Sequence, residues 1–175
     1  MDKKYFGGID IMKNKSLKLM SVLLILSLLL VACGQKAEQG NAEANPMQYV
    51  AKEDLKTSIE SDAGEYIILD VRKVEDFNTS HIVGSISGDV DAANKGGDDA
   101  KGTENLKVAL KEATGNELGN SDSKYALVCY SGKSYAQKAT DLMLEMGISA
   151  DQIYTLEGGM KAWEEGGDDY KGLLE

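Results

Sequence analysis

One cysteine stands where a chain can make it reactive. Cys129 follows the apolar run Tyr125-Ala126-Leu127-Val128 and precedes Tyr130-Ser131-Gly132-Lys133-Ser134. The pattern reads as a buried strand, a tight loop and the start of a helix. Gly132 permits backbone conformations that a side chain forbids. Successive N–H groups in such a loop turn inward as a nest, and the positive end of the following helix points at the same spot. The result is an anion cradle with a thiol at its rim, and Lys133 adds a positive charge. Thiols in such electropositive surroundings are the ones that act as nucleophiles. A cysteine at a strand end is also often a buried, inert residue. The loop alone does not separate the two readings.

The rest of the composition narrows the chemistry. The 175 residues hold one His (His81), one Arg (Arg72), one Trp (Trp163), one Pro (Pro46) and two Cys, Cys33 and Cys129. A Cys–His dyad would have to use His81. A multi-ligand zinc site has too few His and Cys to draw on. The formal charge is −10, and residues 33–175 alone carry 14 basic and 27 acidic side chains. Such a chain is a poor candidate for nucleic acid or for an anionic lipid surface bound through general electrostatics. The acidity reads as a solvated surface.

The N-terminus reads as an address and an anchor. Lys13, Lys15 and Lys18 precede an apolar run, Leu19 to Ala32, broken only by Ser21 and Ser27. The run is short for a membrane span, which needs about 20 apolar residues. A basic region, a short apolar region and a small residue before the cut make a secretory signal. The run ends Leu30-Val31-Ala32-Cys33-Gly34, which resembles the lipobox of bacterial lipoproteins. That resemblance implies a lipidated Cys33 as the first residue of the mature chain. Two or three fatty chains give stable anchoring where one is marginal. Cys33 is therefore expected to be a lipid attachment site and not a redox partner for Cys129. Residues 1–32 are the expected signal, with 1–11 read as an upstream start before Met12. Residues 33–46 are the lipidated Cys and a flexible tether, since Gln35 to Asn45 has no large apolar residue. Residues 47–175 are left for one domain of ordinary size.

Within that domain, strand and helix patterns alternate. Lys52 to Ser61 has Leu55 and Ile59 at helical spacing. Tyr66 to Val71 is a compact apolar run, as expected of a strand buried on both faces. Ile82 to Ile86 reads as a short strand. Gly88 to Asn105, rich in Gly, Asp, Asn and Ala, reads as an exposed loop, followed by a helix over Leu106 to Ala113. Asp89, Asp91, Asn94, Asp98 and Asp99 fall in that stretch, but their spacing does not fit a calcium loop. Tyr125 to Cys129 is a strand, and Ser134 to Met146 a helix closed by Gly147. Ile153 to Leu156 is a further strand, broken by Gly158-Gly159, and Met160 to Glu165 a last helix. Such alternation argues for a mostly parallel sheet covered on both faces. Ligands of such sheets bind at the carboxyl ends of strands, where Cys129 sits.

Three ordered segments carry a resemblance. Ile68-Leu69-Asp70-Val71-Arg72, with Glu75, Phe77 and Ser80-His81-Ile82-Val83-Gly84-Ser85-Ile86 after it, resembles the early motif of the rhodanese family. Cys129 to Ser134 resembles its six-residue active-site loop. Tyr154-Thr155-Leu156-Glu157-Gly158-Gly159-Met160-Lys161-Ala162-Trp163 resembles its closing motif. The match spans roughly residues 47–167. It implies an α/β, rhodanese-like fold with about five mostly parallel strands and helices on both faces. It implies a sulfurtransferase in which Cys129 takes a sulfane sulfur from thiosulfate or a related anion and passes it to a thiol or cyanide. Tyr130, Ser131, Gly132, Lys133 and Ser134 would form the anion-binding loop. No metal or organic cofactor is implied.

Two positions depart from the family. Its loops often end in Arg, where this chain has Ser134 after Lys133, and its early motif carries a Pro where this chain has Val83. A lysine keeps the charge but loses the two-pronged geometry. Asp70 and Arg72 are expected to organise the framework, with Arg72 pairing Glu75 or Asp76. His81 is expected in a structural hydrogen-bonding role, and Trp163 in the core. A non-catalytic module that keeps the cradle to hold an anion or partner is the alternative. A cysteine-loop phosphatase would want a longer loop ending in Arg, to clamp phosphate twice. The expected location is the extracytoplasmic face of a bacterial cell membrane. In a bacterial host, the wild-type chain should take up a clickable palmitate analogue and the Cys33→Ser variant should not, read by in-gel fluorescence.

Overall fold

The computed structural model describes residues 45–61 and 64–175. The expected signal, Cys33 and nearly all of the expected tether lie outside the described residues. In chain order the elements are β1 (Gln48–Val50), α1 (Lys52–Glu60), β2 (Tyr66–Asp70), α2 (Val74–Thr79), β3 (Ile86–Ser87), α3 (Asp91–Gly96) and α4 (Asp99–Thr114). There follow β4 (Lys124–Val128), α5 (Ser134–Glu145), β5 (Ile153–Leu156), α6 (Gly159–Glu164) and α7 (Asp168–Lys171). The five strands lie in the order β1-β5-β4-β2-β3, and every pairing is parallel.

Alternation along the central strands divides the core between the two faces of the sheet. Tyr125, Leu127 and Cys129 fall in one buried cluster with Leu106, Leu110, Ala139, Leu142 and Met143, so α4 and α5 cover that face. Ala126 and Val128 fall in the other, with Leu55, Met160 and Trp163. Helices α1 and α6 therefore cover the second face. Trp163 is fully buried, its indole N–H donates to the Tyr170 carbonyl at 3.0 Å, and its ring meets Tyr170 edge-on. It is a core residue, and its polar atom is satisfied.

The stretch from Gly88 to Asn105 is not an exposed loop. It holds α3 and the first two turns of α4, so the helix expected over Leu106 to Ala113 begins at Asp99. Glycines that look like loop breakers do two helical jobs here. Gly97 ends α3 in a left-handed conformation (φ 70°) and its N–H returns to Ala93. Gly102 lies inside α4 where that helix crosses α3 and α5. The acids have local partners too. Asp98 caps α4 by accepting from Lys101 N–H at 3.0 Å, Asp99 pairs with Lys138 at 3.0 Å, and Asp89 accepts from the Val74 and Asp91 N–H groups.

Other expectations need smaller corrections. The strand expected over Ile82 to Ile86 is confined to Ile86–Ser87. Ile82 instead makes a lone antiparallel bridge with Leu174. Asn45, placed in the tether, is hydrogen-bonded to α5: its amide donates to Asp141, and its carbonyl accepts from Gln137. Strand β1 and helices α2 and α7 are three to six residues long, too short for a periodic pattern to mark them in the sequence. Among the described residues no helix is long and apolar enough to cross a membrane.

A methyl group on Gly102 would sit 2.7 Å from Ala93 Cβ and 2.9 Å from Leu142 Cδ1. Gly102→Ala should therefore destabilise the fold, although alanine favours an open helix by about 1 kcal/mol. Overpacking of this kind costs about 1–3 kcal/mol. A urea melt should place the variant's midpoint below that of the wild type.

Candidate active site

The chain reverses its direction of winding between β4 and β2, since β2 leads to β3 on one side and β4 to β5 on the other. Crevices at such points, at the carboxyl ends of strands, are where α/β sheets hold ligands. Cys129 leaves β4 there, beside Val71 and Arg72 leaving β2, and the Val71 N–H donates to the Val128 carbonyl at 2.8 Å. Cys129 is a free thiol, 2% exposed.

The loop after Cys129 is shaped from below by the start of α6. The Met160 N–H donates to the Cys129 carbonyl at 2.8 Å and the Lys161 N–H to the Tyr130 carbonyl at 3.1 Å. Two orphan donors at a helix start are thereby satisfied. A trans peptide sets its N–H opposite its C=O. Holding these carbonyls against α6 therefore turns the N–H groups of Tyr130 and Ser131 away from it. Among the described residues, none of the backbone N–H groups from Tyr130 to Ser134 donates to a protein acceptor. Helix α5 begins at Ser134, so its positive end adds to the same place. Ser131, Lys133 and Ser134 are exposed.

Such close approach requires glycine. Gly132 has φ 66°, and a methyl group there would meet the Leu156 carbonyl at 2.8 Å. Gly159 has φ 60°, and its methyl would lie 2.3 Å from the Cys129 carbonyl and 2.7 Å from the backbone nitrogens of Ser131 and Gly132. The glycine pair after β5, read in the sequence as a strand breaker, thus forms the floor under the loop.

Asp70 and Arg72 form a buried strut. Arg72 Nε lies 3.0 and 3.1 Å from the two Asp70 oxygens, and Nη2 lies 2.7 Å from Oδ2. The same Nη2 donates to the Ser80 carbonyl at 2.7 Å, and the Arg72 N–H donates to Asp70 at 3.0 Å. Burial works against the guanidinium charge, but the Asp70 hydrogen bonds outweigh it and hold the charged form. Arg72 therefore pairs with Asp70, not with Glu75 or Asp76. The local spacing misleads because Asp70, two residues back, is the buried carboxylate in reach.

His81 is engaged elsewhere. Its Nδ1 lies 2.9 Å from the Phe77 carbonyl, its ring stacks on Phe77, and its Nε2 lies 3.5 Å from Glu175. Its backbone N–H and C=O both pair with Glu175 at 2.9 Å. The geometry is that of a brace for the segment that presents the Ser80 carbonyl to Arg72.

The sequence carries no signal for the side-chain pairs beside the loop. The Tyr130 hydroxyl donates to Asp76, and that of Tyr135 donates to Asp91. Burial, then the carboxylate partner, pushes both phenols above their ordinary range, so they stay protonated donors. The partners lie 54 and 44 residues away in sequence, with no local signal linking them. Among the described residues no cluster of His, Cys, Asp or Glu is placed to hold a metal ion.

The comparisons with known proteins agree with this geometry. The model of the rhodanese-like domain matches residues 51–166. The chain belongs to the rhodanese-like family. Among solved structures it is similar to a rhodanese-like domain from Anabaena sp., at 18% identity and a TM-score of 0.53, over 74% of this chain and 80% of that one. A protein from Bacillus halodurans is similar at 15% identity and a TM-score of 0.51, over 85% of this chain and 82% of that one. These likenesses concern the fold. No curated protein sequence matches the chain.

Removing one partner of a buried ion pair leaves the other charge uncompensated and costs about 3–5 kcal/mol. Asp70→Asn should therefore lower the unfolding free energy by about 3 kcal/mol or more, measured by urea denaturation. Glu75→Gln, which leaves the strut intact, should change it by less than about 0.5 kcal/mol.

Proposed function

We propose that this protein is a sulfurtransferase that carries sulfur as a Cys129 persulfide, lipid-anchored through Cys33 on the extracytoplasmic face of a bacterial membrane. One observation supports the reading above the others: a thiol stands beside five backbone N–H groups, those of Tyr130 to Ser134, that donate to nothing in the described protein. Unused donors grouped beside a thiol suit an anion whose charge grows during reaction.

The chemistry is a double displacement. The Cys129 thiolate attacks the outer sulfur of thiosulfate or a related sulfane donor. A new S–S bond forms at Cys129, the donor's S–S bond breaks, and sulfite leaves with the electron pair. A thiol or cyanide then attacks the outer sulfur of the persulfide, and Cys129 leaves as thiolate. Loop N–H groups hold the departing anion in each half, and Lys133 supplies a charge at the rim. No cofactor is required for this sequence.

The alternative is a rhodanese-fold module that binds an anion or partner without turning it over. It draws on the near-complete burial of Cys129, which an attacking thiol must escape. A phosphatase is not favoured, because Arg72 is committed to Asp70 and Ser80 and cannot clamp a phosphate.

Intact-peptide mass spectrometry of the full-length chain in mild detergent separates these readings. With thiosulfate or polysulfide, the Cys129 peptide should gain about 32 Da, one sulfur atom. Cyanide should remove it, and Cys129→Ser should not acquire it. A folded protein whose Cys129 alkylates but takes no sulfur from either donor would establish the binding module instead.

A further inference from the structure

The loop is supported from below by α6, but its side wall has a separate construction. We propose that Tyr130 and Tyr135 are positioning residues, a pair of phenol–carboxylate clamps that hold the two ends of the Cys129 loop so that its free N–H groups converge on one anion.

The geometry is specific. Tyr130 follows Cys129 directly and Tyr135 follows Ser134, so the two tyrosines bracket the loop. Tyr130 donates to Asp76 on α2, and Tyr135 donates to Asp91 at the start of α3. Lys73 ties the pairs together. Its backbone N–H lies 3.4 Å from the Tyr130 hydroxyl, and its ammonium lies 3.8 Å from Asp91. Lys95 adds a second cation on Asp91, at 3.0 Å. The rings meet edge-on with centroids 5.0 Å apart, and the Arg72 guanidinium lies 5.8 Å from the Tyr130 ring centre. Both ends of the loop thus rest on one connected wall built from β2's exit, α2 and α3.

The physical need follows from the loop's own residues. The five N–H groups from Tyr130 to Ser134 make no hydrogen bond that would hold the loop's shape, and the loop ends in Ser134, which brings no charged fork to hold it closed. Fixed geometry must come from outside the loop. A phenol donating to a carboxylate is a charge-assisted hydrogen bond, stronger than a neutral one, and the buried ring contributes packing besides.

This inference deepens the proposed function but does not need it, because the cradle can be probed with a reagent that transfers no sulfur. Iodoacetate and iodoacetamide alkylate a thiol by the same displacement and differ in charge. Their rate ratio at Cys129, measured on variants shown to be folded by circular dichroism, reports the anion-attracting geometry of the cradle. The full-length chain in mild detergent would be used, with adducts read on the Cys129 peptide. Tyr130→Phe and Asp76→Ala should each lower the iodoacetate-to-iodoacetamide ratio by about threefold or more. The double variant should be no worse than either single one, since both remove the same bond. Tyr135→Phe should lower the ratio independently. Asp76→Ala leaves both rings packed and decides the matter if a tyrosine variant folds poorly. An unchanged ratio in folded Asp76→Ala and Tyr130→Phe would overturn the clamp. A lowered ratio in a protein that takes up no sulfur would sustain the clamp and remove the sulfurtransferase reading.

Discussion

Two backbone hydrogen bonds from the first turn of α6 set the character of the whole site. Met160 and Lys161 hold the carbonyls of Cys129 and Tyr130. Because a peptide unit is planar and trans, fixing its carbonyl fixes the opposite N–H as well. The N–H groups of Tyr130 and Ser131 are therefore oriented by α6. Everything else follows from keeping that contact short. Gly159 must lack a side chain, Gly132 must adopt a left-handed conformation, and β5 must deliver α6 beneath the end of β4.

The single arginine illustrates how burial redirects a charge. In an exposed loop, Arg72 would be free to meet an anion. Here it is 6% exposed and held by both oxygens of Asp70, with a further bond to the Ser80 carbonyl. A buried pair of this kind contributes little net stability relative to apolar residues, yet it is costly to break. Its effect is geometric. It ties the end of β2 to the segment braced by His81 and the C-terminal strand bridge, which closes the second face of the sheet. Beside Cys129 remain the exposed Lys133 and the unused N–H groups of the loop.

The acidic surface has a structural side as well. Asp89, Asp98 and Asp99 cap helices or pair with lysine, and Asp76 and Asp91 receive the phenols beside the loop. Tyr135 holds the Asp91 carboxyl below its ordinary range, first among its partners. Residues that look like a bland solvated run in the sequence thus include the supports of the cradle wall.

What the chain's own text determined is what depends on neighbours in sequence. The compact apolar runs over Tyr66 to Val71, Tyr125 to Cys129 and Ile153 to Leu156 place β2, β4 and β5, because a strand buried on both faces is mostly apolar. The strand–Cys–Gly–helix pattern places the Cys129 loop between β4 and α5 for the same local reason, and three ordered motifs identify the family. Tertiary structure decided the rest. Glycines in α3 and α4 resemble loop breakers until the packing shows one ending a helix and another admitting Ala93 and Leu142. Arg72 chose Asp70 over Glu75 and Asp76 because burial selects the partner that shares its desolvated site. The pairing of Tyr130 with Asp76 and Tyr135 with Asp91 arose only when the sheet's reversal brought β2's exit beside β4. Sequence periodicity encodes which face a residue turns to the core, but not which distant side chain it will find there.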